Sequence, residues 1–184
     1  MSIKYFYTKG GCISIKIHDF NESIQKGKQG EDYIISVLKK NKHIKSITDV
    51  SNDSSYFEKD IDYLIEFNSG KIQSVELKTD FTTYPNFFYE EISSMETNSL
   101  GCFEKTEADR LLYYFIKLNI LYIFDMEKFR NWFHENKEDF IKKGYKKQLK
   151  NYRYNGSTYT TVGYAFPRDL LENKPWVRKI VKNK

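Results

Sequence analysis

The stretch from Lys59 to Lys78, KDIDYLIEFNSGKIQSVELK, predicts a β-hairpin. Two runs rich in apolar residues, 61–67 and 71–78, flank the turn sequence Asn68-Ser69-Gly70. A three-residue loop with glycine in the left-handed conformation is a common hairpin connection. We therefore expect two antiparallel strands that meet at this turn.

The length of the turn decides which side chains face one another. A three-residue loop pairs Phe67 with Lys71, and counting back along both strands places Asp62 opposite Glu76. Alternate residues of a strand share a face, so Lys78 lies on the same side as Glu76. Two carboxylates across a strand pair repel unless a cation lies between them, and Mg²⁺ prefers oxygen ligands. A two-residue loop would instead put the two carboxylates on opposite faces.

A third carboxylate comes from a helix predicted over residues 21–40. Apolar and small side chains recur there at helical spacing: Ile24, Gly27, Ile34, Ile35 and Leu38. Glu31 lies in the middle of this stripe, and burying a glutamate is unfavourable unless it is paired or binds a metal. We expect Glu31 to face the hairpin, and pairing with a neighbouring lysine such as Lys28 is the competing explanation.

The other segments predict a mixed α/β chain. Two short strands are expected within residues 1–19, and further strands over 44–50, 86–93, 111–117, 120–124 and 158–166. Helices are expected over 105–110 and 126–141. The order of a helix, three strands and then mixed elements favours an α/β sandwich, in which helices flank one central mixed sheet. A length of 184 residues suits a single domain with one core.

Composition excludes several classes of protein. Apolar residues make up 40% and charged residues 30%, which excludes a disordered chain. Two cysteines in no metal or redox spacing exclude a disulfide scaffold. The most apolar stretch, residues 111–124, is too short to span a bilayer, and the N-terminus lacks the apolar core of a signal peptide. We therefore expect a cytoplasmic protein with no membrane partner and no small-molecule cofactor.

Basic residues are concentrated in the last third of the chain. Between residues 142 and 153 they are Lys142, Lys143, Lys146, Lys147, Lys150 and Arg153, interleaved with tyrosines. The segment 171–184 forms a further basic tail. Backbone phosphates bind cations and unpaired bases stack on aromatic rings, so these residues predict a nucleic-acid-binding surface. A solvated helix end followed by a loop is the competing explanation.

Taken together, the acidic residues and the lysine of the strand resemble the PD-(D/E)XK, or restriction-endonuclease-like, nuclease superfamily. The resemblance covers residues 22–170 and leaves 1–19 as an N-terminal extension. Within the superfamily, the sequence is similar to phage and bacterial members. Asp62 resembles the family's strand aspartate and Glu76-Leu77-Lys78 its (D/E)xK motif. No proline precedes Asp62, and Asp60 offers a competing carboxylate, which this register places opposite Lys78. We prefer Asp62 because it faces Glu76.

The resemblance implies metal-dependent hydrolysis of phosphodiester bonds. Asp62, Glu76 and the carbonyl of Leu77 would bind Mg²⁺, for which Mn²⁺ substitutes, and Glu31 would bind directly or through water. Lys78 would position the attacking water or offset negative charge. The expected substrate is DNA, cut by a restriction-like or a junction-resolving endonuclease, and a resolvase would be a homodimer.

Two further positions and two competing functions complete this interpretation. Lys105 and Thr106 resemble positions near the site that contact nucleic acid. The first competing function is a non-catalytic nucleic-acid-binding or protein-interaction module on the same fold. The second is an unrelated small α/β protein with a solvated acidic face, in which replacing Glu31 would change little beyond stability.

Overall fold

A computed structural model describes residues 2–8, 11–17, 20–153 and 156–181, with side chains from Gly27 onward. Within these residues the strands, in chain order, are β1 (Ser2–Thr8), β2 (Gly11–Ile17), β3 (Ile44–Asp49), β4 (Tyr63–Phe67), β5 (Ile72–Asp80), β6 (Asn86–Ser94), β7 (Ser99–Leu100), β8 (Arg110–Phe115), β9 (Ile120–Asp125), β10 (Lys146–Tyr152), β11 (Thr158–Pro167) and β12 (Val177–Val181). The helices are α1 (Phe20–Leu38), α2 (Ser54–Phe57), α3 (Cys102–Lys105) and α4 (Met126–Lys142).

The strands form a mixed α/β fold with a six-stranded mixed sheet. Its order is β12-β9-β8-β5-β4-β3, in which only β5 and β8 run parallel. This confirms the α/β class and the mixed sheet. A second, antiparallel sheet has the order β10-β11-β6-β7, and β1 pairs with β2. The sequence predicted one sheet, because the lysine-rich strand β10 lacks the apolar alternation that marks a strand.

The β4–β5 hairpin has the predicted turn and register. Gly70 has a φ of 82°, the left-handed conformation that the three-residue loop requires. The Phe67 N–H donates to the Lys71 carbonyl at 2.9 Å, and the ladder continues to Tyr63 opposite Val75. The turn sequence therefore sets the register of the strand pair that carries the candidate site.

A cluster of aromatic side chains fills the space between the two sheets and α4. Its buried rings include Phe87, Tyr89, Phe103, Tyr113, Phe115, Tyr122, Phe124, Phe129, Phe133, Phe140, Tyr164 and Phe166. Phe87 is fully buried and lies within 6.5 Å, centroid to centroid, of the rings around it. Both sheets are thus attached to one core.

Within the basic C-terminal segment, Leu171 is fully buried and β12 is an edge strand of the six-stranded sheet.

Helix α1 covers the opposite face of the six-stranded sheet. Ile34 packs with Leu77 and other apolar residues of that face. Gly30 is buried, and a Cβ atom there would lie 2.5 Å from Ile116 Cδ1 and 2.9 Å from Thr79 Cγ2. The absence of a side chain therefore lets α1 approach β5 closely and places the next residue, Glu31, beside the hairpin. No helix in the described part of the chain is long and apolar enough to cross a membrane.

Candidate active site

Asp62 lies where the regular ladder between β4 and β5 ends. Its N–H donates to the Val75 carbonyl at 2.9 Å, although Val75 is already opposite Tyr63. Its carboxylate Oδ2 accepts the Leu77 N–H at 2.9 Å. The register count predicted that Asp62 would pair with Glu76 in the ladder. This prediction is wrong, because the chain bulges at Asp62. Its side chain nevertheless fills the gap beside β5.

Glu76 is a buried carboxylate in which one oxygen has a hydrogen-bond partner and the other has none. Its Oε1 accepts from the Lys78 ammonium at 2.7 Å, while Oε2 is buried without a hydrogen-bond partner. Burial raises the pKa of Glu76 to about 8, with Lys78 acting in the opposite direction and Asp62 adding to the rise. Burial alone would lower the pKa of Lys78, but the charge of Glu76 raises it above its usual value. The site therefore holds a carboxyl group that resists ionisation, Glu76, and a lysine that stays charged.

Glu31 is the third carboxylate, and it comes from α1. Burial raises its pKa, the charge of Asp62 raises it further, and the charge of Lys78 lowers it. These effects decay with distance, so Glu31 lies close enough to sense both residues. Asp62, Glu76 and Lys78 meet at the hairpin, and Glu31 lies on α1 directly after Gly30, which packs against Thr79 of β5. The charge of Lys28 also lowers the pKa of Glu31, but its effect is smaller than those of Asp62 and Lys78.

Asp60 lies in a turn rather than opposite Lys78. Its φ of 48° is left-handed, so the chain has left the strand at this residue and the expected pairing is not formed. Its Oδ1 accepts from the Lys105 ammonium at 2.6 Å, and its carbonyl accepts from the Thr106 hydroxyl at 2.7 Å. These contacts tie α3 to the edge of the site. They leave Asp62 as the residue that reaches β5.

Thr106 has a structural role in this arrangement. Its side chain is buried, and its hydroxyl also accepts the Ala108 N–H at 3.1 Å. This leaves Thr106 no surface for contacting nucleic acid, contrary to the expectation from the sequence. Lys105 is partly exposed and remains available beside Asp60.

Two residues of the site escaped the sequence analysis. Glu90 of β6 is half-buried; burial raises its pKa, whereas the Cys102 backbone N–H and the charge of Lys78 lower it. Burial raises the pKa of the Cys102 thiol to about 12, and Lys78, Glu90 and Glu76 all affect it. Both residues come from segments that only the tertiary fold brings to β5. The nearest sequence signal is Gly101, where a Cβ atom would lie 2.3 Å from the Glu90 carbonyl oxygen.

The predicted basic residues between 142 and 153 lie on other elements than the site residues. Lys142 and Lys143 lie at the C-terminal end of α4, where Lys143 pairs with Asp139 at 2.9 Å. Lys146, Lys147 and Lys150 belong to β10, the edge strand of the second sheet, and Arg153 follows it. A loop was the competing explanation for part of this segment, and the strand replaces it.

The oxygen atoms at the end of β4 suit a hard cation. The donors are the carboxylates of Asp62 and Glu76 and the carbonyl of Leu77, which projects to the same edge of β5 as the N–H that Asp62 accepts. As the side chains stand, no three His, Cys, Asp or Glu residues in the described ranges form a group that could hold a metal. Glu76 is instead directed to Lys78. Comparisons with family models, curated proteins and solved structures give no match.

Proposed function

We propose that this chain is a metal-dependent nuclease that hydrolyses phosphodiester bonds, with DNA as its substrate. The observation that carries the proposal is the pairing of two carboxyl groups: buried Glu76, whose Oε2 has no donor when Glu76 is ionised, lies within hydrogen-bonding reach of Asp62. In the ionised state this acceptor is buried and unpaired, which is unfavourable by about 1–3 kcal/mol. A divalent cation between the two carboxylates would remove this penalty and their mutual repulsion.

Each residue then has a defined task. Asp62, Glu76 and the Leu77 carbonyl would hold Mg²⁺ or Mn²⁺, and Glu31 would bind through water. When bound, the metal stabilises negative charge on the scissile phosphate and lowers the pKa of water. Asp62 is already oriented by the Leu77 N–H, which fixes one ligand before the metal arrives.

Lys78 supplies a permanent positive charge. Its raised pKa keeps the ammonium protonated, and its side chain is 39% exposed while that of Glu76 is 3% exposed. The Lys78 side chain therefore borders both the buried carboxylate and the accessible edge of the site, where a phosphate would lie. There it would orient the attacking water and offset charge in the transition state.

We further propose that the fold is the restriction-endonuclease-like sandwich. Support comes from the order of α1, the antiparallel β3-β4-β5 unit and the parallel strand β8, with α1 on one face of the sheet and α4 on the other side. In this arrangement the acidic residues and Lys78 lie at the end of the hairpin. The functional argument itself rests on those side chains rather than on the fold.

One observation favours a second candidate, a nucleic-acid-binding module without catalysis. The Lys78 ammonium lies 2.7 Å from Glu76 and neutralises part of this carboxylate without any metal. A protein that had replaced the metal by this ion pair would keep the fold and the site residues. It would bind nucleic acid in the absence of divalent cations and would not cut it.

A cleavage assay with and without Mg²⁺ or Mn²⁺ tests both candidates. The substrates are linear duplex, single-stranded DNA, a four-way junction and RNA. We expect metal-dependent cleavage that Lys78→Ala abolishes while metal binding, measured by calorimetry, persists. Lys45→Ala is the matched control, because it removes an exposed lysine that pairs with Glu66 on the surface. Normal cleavage by Lys78→Ala contradicts the assignment, and absence of both cleavage and metal binding supports the binding module.

A further inference from the structure

We propose that the outer face of the four-stranded sheet binds an unpaired DNA strand and leads it into the site, with Lys147 and Arg153 as its phosphate contacts. This inference rests on the proposed function and deepens it. It divides the basic cluster of residues 142–153 into side chains that contact DNA and side chains that do not. The division follows from strand register, because neighbouring residues of a strand project to opposite faces.

Buried rings identify the inner face of this sheet. Tyr164 pairs with Tyr89 and Phe166 with Phe87, and all four are fully buried. Phe133 of α4 stacks on Tyr89, so α4 covers this face. The outer face therefore carries the alternate residues of β6 and β11, namely Phe88, Glu90, Gly163 and Ala165.

The register of β10 then assigns each basic residue to a face. Lys146 is opposite Tyr164 and therefore projects to the inner face, as does Lys150 four residues later. Lys147 is opposite Gly163 and projects to the outer face. Arg153 continues the outer row, since its N–H donates to the Ser157 carbonyl in the same register.

Lys147 is aligned with the candidate site across the sheet. Lys147, Gly163 and Glu90 lie on three adjacent strands, and two strand spacings amount to about 10 Å. Glu90 packs against Gly101, the residue before α3, and Lys105 of α3 contacts Asp60 at the edge of the site, so this row ends beside the site. The exposed Lys147 ammonium donates to the Gly144 carbonyl at 2.8 Å, and an ammonium has three donors, which is more than this bond uses.

Aromatic rings accompany these cations on the same face. A Cβ atom at Gly163 would lie 2.3 Å from Phe88 Cζ, so the half-buried ring occupies the space above the glycine. The Arg153 guanidinium lies 5.1 Å from the centre of the Tyr159 ring. Exposed cations beside half-buried rings suit a strand with unpaired bases, because every base has a face that can stack.

Paired substitutions of neighbouring residues test the inference. Binding of a labelled oligothymidylate is measured in the presence of a chelator, so that cleavage cannot interfere, over a series of salt concentrations. Lys147→Ala and Arg153→Ala should each weaken binding several-fold and reduce the slope of log affinity against log salt by about 0.7. Lys146→Ala and Lys150→Ala are the matched controls from the opposite face and should bind as the unmodified protein does.

Three results would overturn the inference: equal effects of Lys146→Ala and Lys147→Ala, no effect of either outer-face substitution, or tighter binding of the matching duplex than of the single strand. Failure of the proposed function gives a different pattern, in which no substrate is cut while the outer-face variants still bind more weakly than the controls. Thermal unfolding of all four variants confirms that the exposed substitutions leave the fold intact.

Discussion

Glu76 combines deep burial with two charged neighbours of opposite sign. Lys78 favours its ionised form, whereas burial and Asp62 favour its protonated form, and the latter effects are the stronger. A proton therefore occupies, near neutral pH, the position where a metal would bind. Under the proposed function, a proton and a metal would compete for the same oxygens, which would link metal affinity to pH.

This competition predicts the pH dependence of cleavage. With a pKa of about 8, Glu76 loses its proton as pH rises toward that value, and only then can it bind a metal well. We expect the rate at limiting Mg²⁺ to rise up to about pH 8, and a higher Mg²⁺ concentration to move the rise to lower pH. Initial rates at two metal concentrations measure this. A profile that metal does not move would contradict the role of Glu76.

Asp62 accepts a hydrogen bond from the Leu77 N–H and also carries a negative charge. Two substitutions distinguish the contribution of the hydrogen bond from that of the charge. Asp62→Ala leaves the buried Leu77 N–H without an acceptor, which should reduce the free energy of unfolding by about 1–3 kcal/mol. Asp62→Asn keeps an acceptor oxygen and should be nearly as stable as the unmodified protein. Both should lose cleavage. Urea unfolding gives the stabilities, and an Asn variant as unstable as the Ala variant would refute the bond's contribution.

Part of the site could be predicted because its signals are local. Helical spacing marked Glu31, strand alternation put Glu76 and Lys78 on one face, and the turn at Gly70 set the register of β4 against β5 as far as Tyr63. The bulge at Asp62 was not predictable from residue counting. Glu90 was missed for a different reason: its approach to Lys78 depends on the second sheet, which no local pattern encodes.

Helix α1 packs closely against β5 because two of its residues, Gly27 and Gly30, have no side chain. Gly30 is the point of closest approach, and Gly27, one turn earlier, has more room. The position of Glu31 depends on this contact, since Glu31 directly follows Gly30 in the helix. Helix packing and site geometry are therefore linked through a single turn of α1.

Alanine at the two glycines should have opposite effects. The Cβ atom of Gly30→Ala would come within 3.0 Å of the Ile116 and Thr79 side chains, so these side chains or α1 must shift, and we expect a loss of about 1–3 kcal/mol and weaker metal binding. Gly27→Ala meets its nearest atom at 3.5 Å and should gain up to about 1 kcal/mol from helix propensity. Thermal unfolding and calorimetry compare them. Equal metal affinity in the two variants would show that the role of Glu31 in metal binding does not depend on the packing of Gly30.

At the scale of the whole molecule, two sheets and α4 share one aromatic core. Phe87 lies in its centre, with ring contacts to the six-stranded sheet through Phe124 and to α4 through Phe129. The site is located at the border of this core, where β6 and α3 approach β5. The geometry of the candidate site therefore depends on the packing of rings that lie outside it.

Truncating the central ring should destabilise the entire domain. Phe87 is fully buried, so Phe87→Ala should lower the free energy of unfolding by about 3–5 kcal/mol. Phe57 is 67% exposed, and Phe57→Ala should change stability by less than about 0.5 kcal/mol. Denaturant unfolding at constant pH compares the two. A small loss at Phe87 would mean that the two sheets are not joined through this core.

The short turn at Gly70 also has a kinetic consequence. The β4–β5 hairpin closes a three-residue loop, whereas the parallel pairing of β5 with β8 must enclose residues 81–109. Because loop closure becomes less favourable with length, the hairpin should form early in folding and the parallel pair late. Asp62 and Glu76 therefore meet while the chain is still open to solvent. Divalent ions in a refolding buffer would then accelerate folding through this nucleus.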